Sequence, residues 1–427
     1  MIFSQHTLSN GMRLVSVPMP SLNSVTVLAM VNVGSRYEDP KLAGISHFLE
    51  HLPFKGTKKY PSSLELAEAV DGVGGKHNAF TGKEYTGYWV KVASDKLELA
   101  LDIVSDLLLQ PLLPPQEIEK ERGVIIEEIN MYEDEPRAKV ANLFDELVYQ
   151  GSGLQGDVIG TKETVGGITL DDFKRHYQQW YAPQHVVVGV AGGVDQVDLV
   201  QKVEQAFSKG EERTGGGQQS FGLPEQQSPR VHVFRKETEQ AHFFLGYPSV
   251  SRKDPARWAQ SIFATLLGGN SSSRLFNEIR EKRGLAYYAY ASMDLYHDAG
   301  SLYALEGVAI GKVEEAIKVT LDEFARAASG EIITDKAVAA AKEYLIGKTT
   351  LDLEDSASMA SFVVRKALLD GKAETVEDAI QKIKAVTVEE VKQVAARILN
   401  PQKLNLSLIG PFEDQETFAK LIGAKVN

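Results

Sequence analysis

The sequence predicts an α+β protein of two homologous domains, each a largely antiparallel sheet packed with helices. Three observations predict it. A chain of 427 residues is too long for one ordinary core, so two domains of roughly 200 residues each are the natural division. Residues 168–193 and 386–411 align without gaps at a constant offset of 218, matching Thr169 with Thr387, Pro183 with Pro401, Gln184 with Gln402 and Gly192 with Gly410. Both halves also open with an apolar strand, "VTVLAMVNVG" and "AHFFLGYPSV", and each continues through a helical stretch and a second strand into long amphipathic helices.

In chain order, "MIFSQHTLSNGMRLVSVPMP" alternates like a strand approaching a turn at Asn10-Gly11, and it has no basic region followed by an apolar run, so it does not read as a signal peptide. After the strand at 25–34, "AGISHFLEHLPF" has helical spacing of Ile45, Phe48, Leu49 and Leu52. Pro53 stands at the end of that helix, where proline is disruptive, and limits its length. "NAFTGKEYTGYWVKV" (78–92) reads as strand after a Gly-rich turn. A long amphipathic helix starts near Pro115, a permissible position for proline in the first turn. In the repeated segments, Thr169 with Asp172 and Thr387 with Glu390 form capping-box patterns, each opening a helix that stops at a proline before an apolar strand. The polar, glycine-rich stretch at 209–229 reads as the linker, dividing the chain into an N-terminal domain at 1–208 and a C-terminal domain at 230–427.

Composition excludes several functions. The net charge of -12 and a pI near 5.4 argue against nucleic acid or an anionic membrane surface as the main partner. No apolar run is long enough to span a bilayer, so no membrane insertion is expected and a cytoplasmic location fits. There is no cysteine, which leaves any metal to His, Asp and Glu.

His47, Glu50 and His51 fall in one narrow sector of a helix turning about 100° per residue. Two imidazoles four residues apart can reach one ion, and Glu50 stands beside the second of them, close enough to hold a water. Zn²⁺ suits such a set: it accepts imidazole and carboxylate, and three protein ligands leave a position open. A third ligand must come from elsewhere. On the helix from Pro115, Glu121 and Glu128 lie seven apart and share a face, next to apolar Val124, Ile125 and Ile126; a buried carboxylate there needs a partner, and a cation is one. Glu127 points about 100° away from that face. Taken alone, a histidine on an apolar helix is more often a satisfied core residue.

The H-x-x-E-H order is an inverted zinc signature, and "HFLEHLPFKGT" resembles the signature of the pitrilysin or insulysin family of zinc metallopeptidases, particularly its mitochondrial processing peptidase branch. The family pattern continues with a Glu 70 residues after the second His and another 7 beyond, which are Glu121 and Glu128 here. The resemblance implies a zinc endopeptidase with one Zn²⁺ per chain held by His47, His51 and Glu128, with Glu50 as general base and Glu121 steadying a ligand or the helix. It further implies that residues 78–92 are an edge strand taking up substrate backbone, with Asn78 and Ala79 as contacts. The segment "LLGGNSSSRLFNEIREKRGLAYYAY" (266–290) is similar to the family segment in which an Arg and a Tyr seven apart assist catalysis, giving Arg280 and Tyr287 as donors to the oxyanion; without the resemblance they read as a solvated helix charge and a strand aromatic. The implied particle is a dimer, homodimeric or with a homologous subunit, enclosing a chamber for peptides or unfolded polypeptide. A heterodimeric processing peptidase subunit and a non-catalytic core relative are the alternatives.

Overall fold

The computed structural model describes residues 3–208, 216 and 222–424. Most of the linker expected at 209–229 therefore lies outside the described residues. The chain forms two compact units, and neither is continuous in sequence. The first comprises Met1–Ile129, Gly156–Gln219 and Thr349–Ala379; the second comprises Asn130–Gln155, Ser220–Lys348 and Ile380–Asn427.

The first unit holds strands β1 (Ser4–Thr7), β2 (Arg13–Pro18), β3 (Ser24–Val31), β4 (Lys76–Thr81), β5 (Thr86–Ala93) and β6 (Val186–Gly192). Their spatial order is β1-β2-β6-β3-β5-β4, antiparallel except for the parallel pair β2 and β6. β3 is apolar on both faces because both are covered. Val25, Val27, Ala29 and Val31 join the core with Ile103, Val104 and Leu107 of the helix Leu97–Leu109. The opposite face, with Thr26, Leu28 and Met30 buried, lies under the helix Ser356–Leu369, which packs on β2, β3 and β6. That helix comes from the C-terminal half of the sequence. Asp355 caps its first turn through the amides of Ala357 and Ser358 and pairs with Lys91 of β5. The Thr26 and Ser356 hydroxyls meet at 2.9 Å, and Arg13 Nη1 donates to the Ala367 carbonyl at 2.7 Å.

The second unit repeats the plan with β7 (Arg230–Arg235), β8 (Gln240–Pro248), β9 (Ala286–Leu295), β10 (Gly300–Ala309) and β11 (Asn405–Gly410). The order is β7-β11-β8-β10-β9, again with one parallel pair, β7 and β11. One face carries the helices Arg257–Gly268, Val313–Ala328 and Val388–Ile398. The other is covered by Pro136–Val148, a helix from the N-terminal half that packs on β7, β8 and β11. Ser407 Oγ donates to the Val140 carbonyl at 2.8 Å, and the Phe144 ring lies 5.7 Å from Phe244 and 5.3 Å from Tyr303. Two homologous α+β bodies, each a mostly antiparallel mixed sheet packed by helices, are thus present.

Both capping boxes form: Thr169 and Thr387 each accept from the amide three residues on, and Asp172 and Glu390 return the bond. Each helix ends before a short turn at Pro183 or Pro401, after which the chain enters the interior strand β6 or β11. Among the described residues, no helix is long and apolar enough to cross a membrane.

Candidate metal centre

The motif helix spans Ile45–His51 and buries Ile45, Phe48 and Leu49 in the first unit's core. Phe48 meets Phe173 edge to face at 4.8 Å. The chain enters the helix through Gly44 at φ +94°, where a Cβ would sit 2.5 Å from the Ile159 carbonyl oxygen, so only glycine fits. Gly44 has no side chain to cap the helix. Glu38 serves instead, its carboxylate accepting from the amides of Gly44 at 2.7 Å and Ser46 at 2.8 Å. Burial pushes the Glu38 carboxyl up to about 7 despite those bonds. The α-helix ends at His51, and Leu52–Lys55 tightens into a 3₁₀ turn with Pro53 in its first residues. The proline therefore sets the length of the helix and places the second histidine in its last turn.

The long helix runs Pro115–Asp134 and buries Ile118, Glu121, Ile125 and Ile129. His47 Nε2 and His51 Nε2 lie 3.8 and 3.9 Å from one oxygen, Glu128 Oε2. Among the described residues this trio is the one group of three such side chains whose ligand atoms all lie within 4.8 Å of one another. Glu127 is exposed and outside the trio, as the 100° turn between neighbours requires.

Around the trio, His51 Nδ1 lies 2.9 Å from Glu121 Oε1, and Lys55 Nζ lies 2.6 Å from Glu121 Oε2. The Thr81 hydroxyl donates to Glu50 Oε2 at 2.6 Å. Burial drives His47 down to about 3, with His51 adding to the effect, so the ring is neutral and its lone pair available. For His51 burial pulls the same way, but the bond to Glu121 and the charges of Glu50, Glu121 and Glu128 outweigh it and the pKa rises. Burial likewise raises Glu50 against the bond from Thr81. Glu121 is lowered, because His51 and Lys55 outweigh its desolvation. The arrangement presents two imidazole nitrogens and a carboxylate oxygen to one point, with a second carboxylate beside them, a set of groups that could hold a divalent cation.

The other residues singled out from the sequence lie as follows. Asn78 and Ala79 are on β4, the edge of the first sheet, which among the described residues pairs only with β5. Asn78 is exposed, its Oδ1 accepting from the Ala79 amide at 2.9 Å. Arg280 and Tyr287 are brought together in the second unit. Arg280 sits in a π-helical turn, Phe276–Glu281, with its guanidinium 5.5 Å from the centre of the Tyr287 ring, and Tyr287 is 72% exposed. Glu278 anchors that turn by accepting from Lys282 at 2.6 Å and Arg283 at 2.8 Å, which hold its carboxyl down at about 2.

Sequence reasoning missed Glu38, Lys55 and Thr81. Lys55 alone carried a signal, standing four residues after His51. Glu38 and Thr81 act through contacts that no local spacing announces.

Residues 13–162 match the insulinase family, peptidase family M16, and residues 167–345 match the M16 inactive domain. The helix that follows β8, Arg257–Gly268, indeed carries no His, Asp or Glu. The chain is 39% identical to an "uncharacterized zinc protease" of Streptomyces coelicolor over 96% of its own length and 90% of the relative's. It is 34% identical to another of Bacillus subtilis over 96% and 98%. A protease from Helicobacter pylori of known crystal structure superposes with a TM-score of 0.89 at 24% identity, covering 96% of this chain and 99% of that one, which shows a shared fold.

Proposed function

Because the chain belongs to the insulinase family of zinc peptidases, M16, we propose that it is a zinc-dependent endopeptidase hydrolysing peptides or unfolded polypeptide segments. The observation that carries this reading is the convergence of His47 Nε2, His51 Nε2 and Glu128 Oε2 within 4.8 Å. The residues fit zinc. Their 3.8 and 3.9 Å separations are too long for hydrogen bonds and close to the roughly 3.3 Å between ligands of a tetrahedral ion with bonds near 2.0 Å. The mixed imidazole and carboxylate donors also match its borderline softness. A bound zinc ion would supply Lewis acidity, polarising the scissile carbonyl and lowering the pKa of water toward neutrality.

The chain's own groups do the rest. Glu50 takes the proton of the attacking water and passes it to the leaving amine, a role its burial suits by raising its proton affinity toward the working pH. Glu121 fixes the His51 tautomer by accepting from Nδ1–H, so that Nε2 is the donor atom, and Lys55 keeps Glu121 ionised. Arg280 and Tyr287 donate to the developing oxyanion. The free edge of β4, with Asn78 and Ala79, takes up substrate backbone as an added strand. With one pair of α+β units per chain, the working particle is a dimer of the processing-peptidase kind, in which Arg280 and Tyr287 of one subunit serve the zinc of the other. Both residue sets in one chain favour a homodimer over obligate pairing with a homologous subunit.

The test is metal analysis joined to a quenched-peptide assay. Chelation abolishes hydrolysis and zinc restores it. Glu50→Gln retains one zinc per chain and loses about 10²- to 10⁴-fold in kcat; full activity in that variant would exclude Glu50 as the base. Mixing Glu50→Gln with Arg280→Ala chains restores part of the activity if subunits complete each other's sites.

A further inference from the structure

Among the described residues, Glu50 is held by one polar contact with a donor outside its own helix, the Thr81 hydroxyl at 2.6 Å. Thr81 is the last residue of β4, immediately before the turn into β5. That turn is tied down along its whole length by residues 33–36. The Ser35 amide donates to the Gly82 carbonyl at 3.2 Å, the Arg36 amide to that of Lys83 at 3.0 Å, and the Thr86 hydroxyl to that of Val33 at 3.0 Å. The two backbones touch at Gly34, where a Cβ would lie 2.2 Å from the Gly82 oxygen. Beneath the turn, Arg36 Nη1 and Glu84 Oε1 meet at 2.5 Å with side chains only 1% and 2% exposed. Desolvation cancels much of the attraction in so buried a pair, so what it adds is chiefly geometry. The same run of chain continues to Glu38, which starts the motif helix. Residues 33–46 thus register the turn that aims Thr81 against the helix that carries Glu50.

We propose that Thr81 is the positioning residue of Glu50, and that the buried Arg36–Glu84 pair sets it at its distance. This rests on the reading of Glu50 as the base. The nearby Thr86 hydroxyl, 3.4 Å from that of Thr81, commits its proton to Val33. The Thr81 proton goes to the charged Glu50 Oε2 at 2.6 Å in preference to the Thr86 oxygen at 3.4 Å, which fixes the plane of the carboxylate and leaves Oε1 as the oxygen that meets the water. The hydroxyl alone matters, so serine can replace threonine and valine cannot.

The experiment uses the full chain with zinc, measuring kcat, KM and zinc per chain for Thr81→Val, Thr81→Ser, Glu84→Gln and the Thr81→Val/Glu84→Gln double variant, with Glu50→Gln as control. Thr81→Val should keep its zinc and its KM within about twofold while kcat falls about ten- to a hundredfold, the worth of a charge-assisted hydrogen bond. Thr81→Ser should recover most of the loss. Glu84→Gln should lower kcat, and the double variant should lose little more than Thr81→Val, because both act through one bond. Wild-type kcat in Thr81→Val beside an inactive Glu50→Gln overturns the inference and leaves the base in place; losses that simply add in the double variant overturn the part given to the pair. An active Glu50→Gln overturns the assignment of the base itself, whatever Thr81 does.

Discussion

Glu306 stands where the first unit has a valine. β5 and β10 both end in alanine, Ala93 and Ala309, before a short turn and a long helix; three residues back from each end are Val90 and Glu306, both fully buried. Glu306 Oε1 lies 2.6 Å from the Thr320 hydroxyl, which is also 2.9 Å from the Ala316 carbonyl, and Oε2 has no hydrogen-bond partner among the described residues. Burial raises this carboxyl from an ordinary 4.5 to about 8, so the folded protein holds a proton there that the unfolded chain gives up. The stability linked to it is fully present below about 4.5 and is lost as pH rises through about 8. Thermal melts from pH 5 to pH 9 should therefore show the melting temperature of Glu306→Gln gaining on that of the parent as pH rises; a constant difference would exclude the linkage. Such a residue could not be read from the sequence, where a lone Glu in "LYALEGVA" looks like one solvated position in a strand. The shared face of His47 and His51 was legible because helical geometry converts spacing directly into direction, whereas Glu128 was singled out by the family resemblance, spacing alone leaving it level with Glu121. Thr81 was not legible, because its contact with Glu50 depends on how a strand and a helix 31 residues apart in sequence come to lie side by side.

At the scale of elements, two glycines make opposite predictions for one added methyl. Gly189 in β6 faces the helix Ser356–Leu369, and a Cβ there would sit 2.2 Å from Val364 Cγ2. Gly189→Ala forces that helix or its side chain aside and should cost about 1–3 kcal/mol. Gly123, inside the long helix Pro115–Asp134, has nothing within 4 Å of its Cβ position, and Gly123→Ala should stabilise by about 0.8–1.0 kcal/mol through helix propensity. Urea midpoints moving apart in these directions check both; a shift of either variant the other way removes the corresponding argument. Several elements could be anticipated from local signals: apolar runs gave interior strands, the two capping boxes gave helix starts, and prolines gave their ends. The covering helices could not be placed. Pro136–Val148 and Ser356–Leu369 each bury an apolar face, but an apolar stripe does not state which of two similar sheets it will meet.

For the whole molecule, that placement changes what a domain is. The first unit takes Thr349–Ala379 from the C-terminal half, and the second takes Asn130–Gln155 from the N-terminal half. A fragment ending at residue 208 would leave Leu28, Met30 and Gly189 of its sheet without their cover, and one beginning at 230 would leave Phe244 and Ile409 bare, exposing apolar surface that favours aggregation. Each fragment made alone should be insoluble or should bind a hydrophobic dye and melt without cooperativity, whereas the two made together should assemble into a soluble, active complex. Independent, cooperative folding of either fragment would show that the borrowed helix is dispensable.

The reciprocal loan of helices has a consequence for wear. A protease that severs this chain between residues 208 and 222 meets a knot of mutual custody, since each severed piece still grips a helix seated in the other's territory. Such a nick is a scar rather than a death, and the molecule should go on cleaving peptides until heat or denaturant pulls both helices free at once.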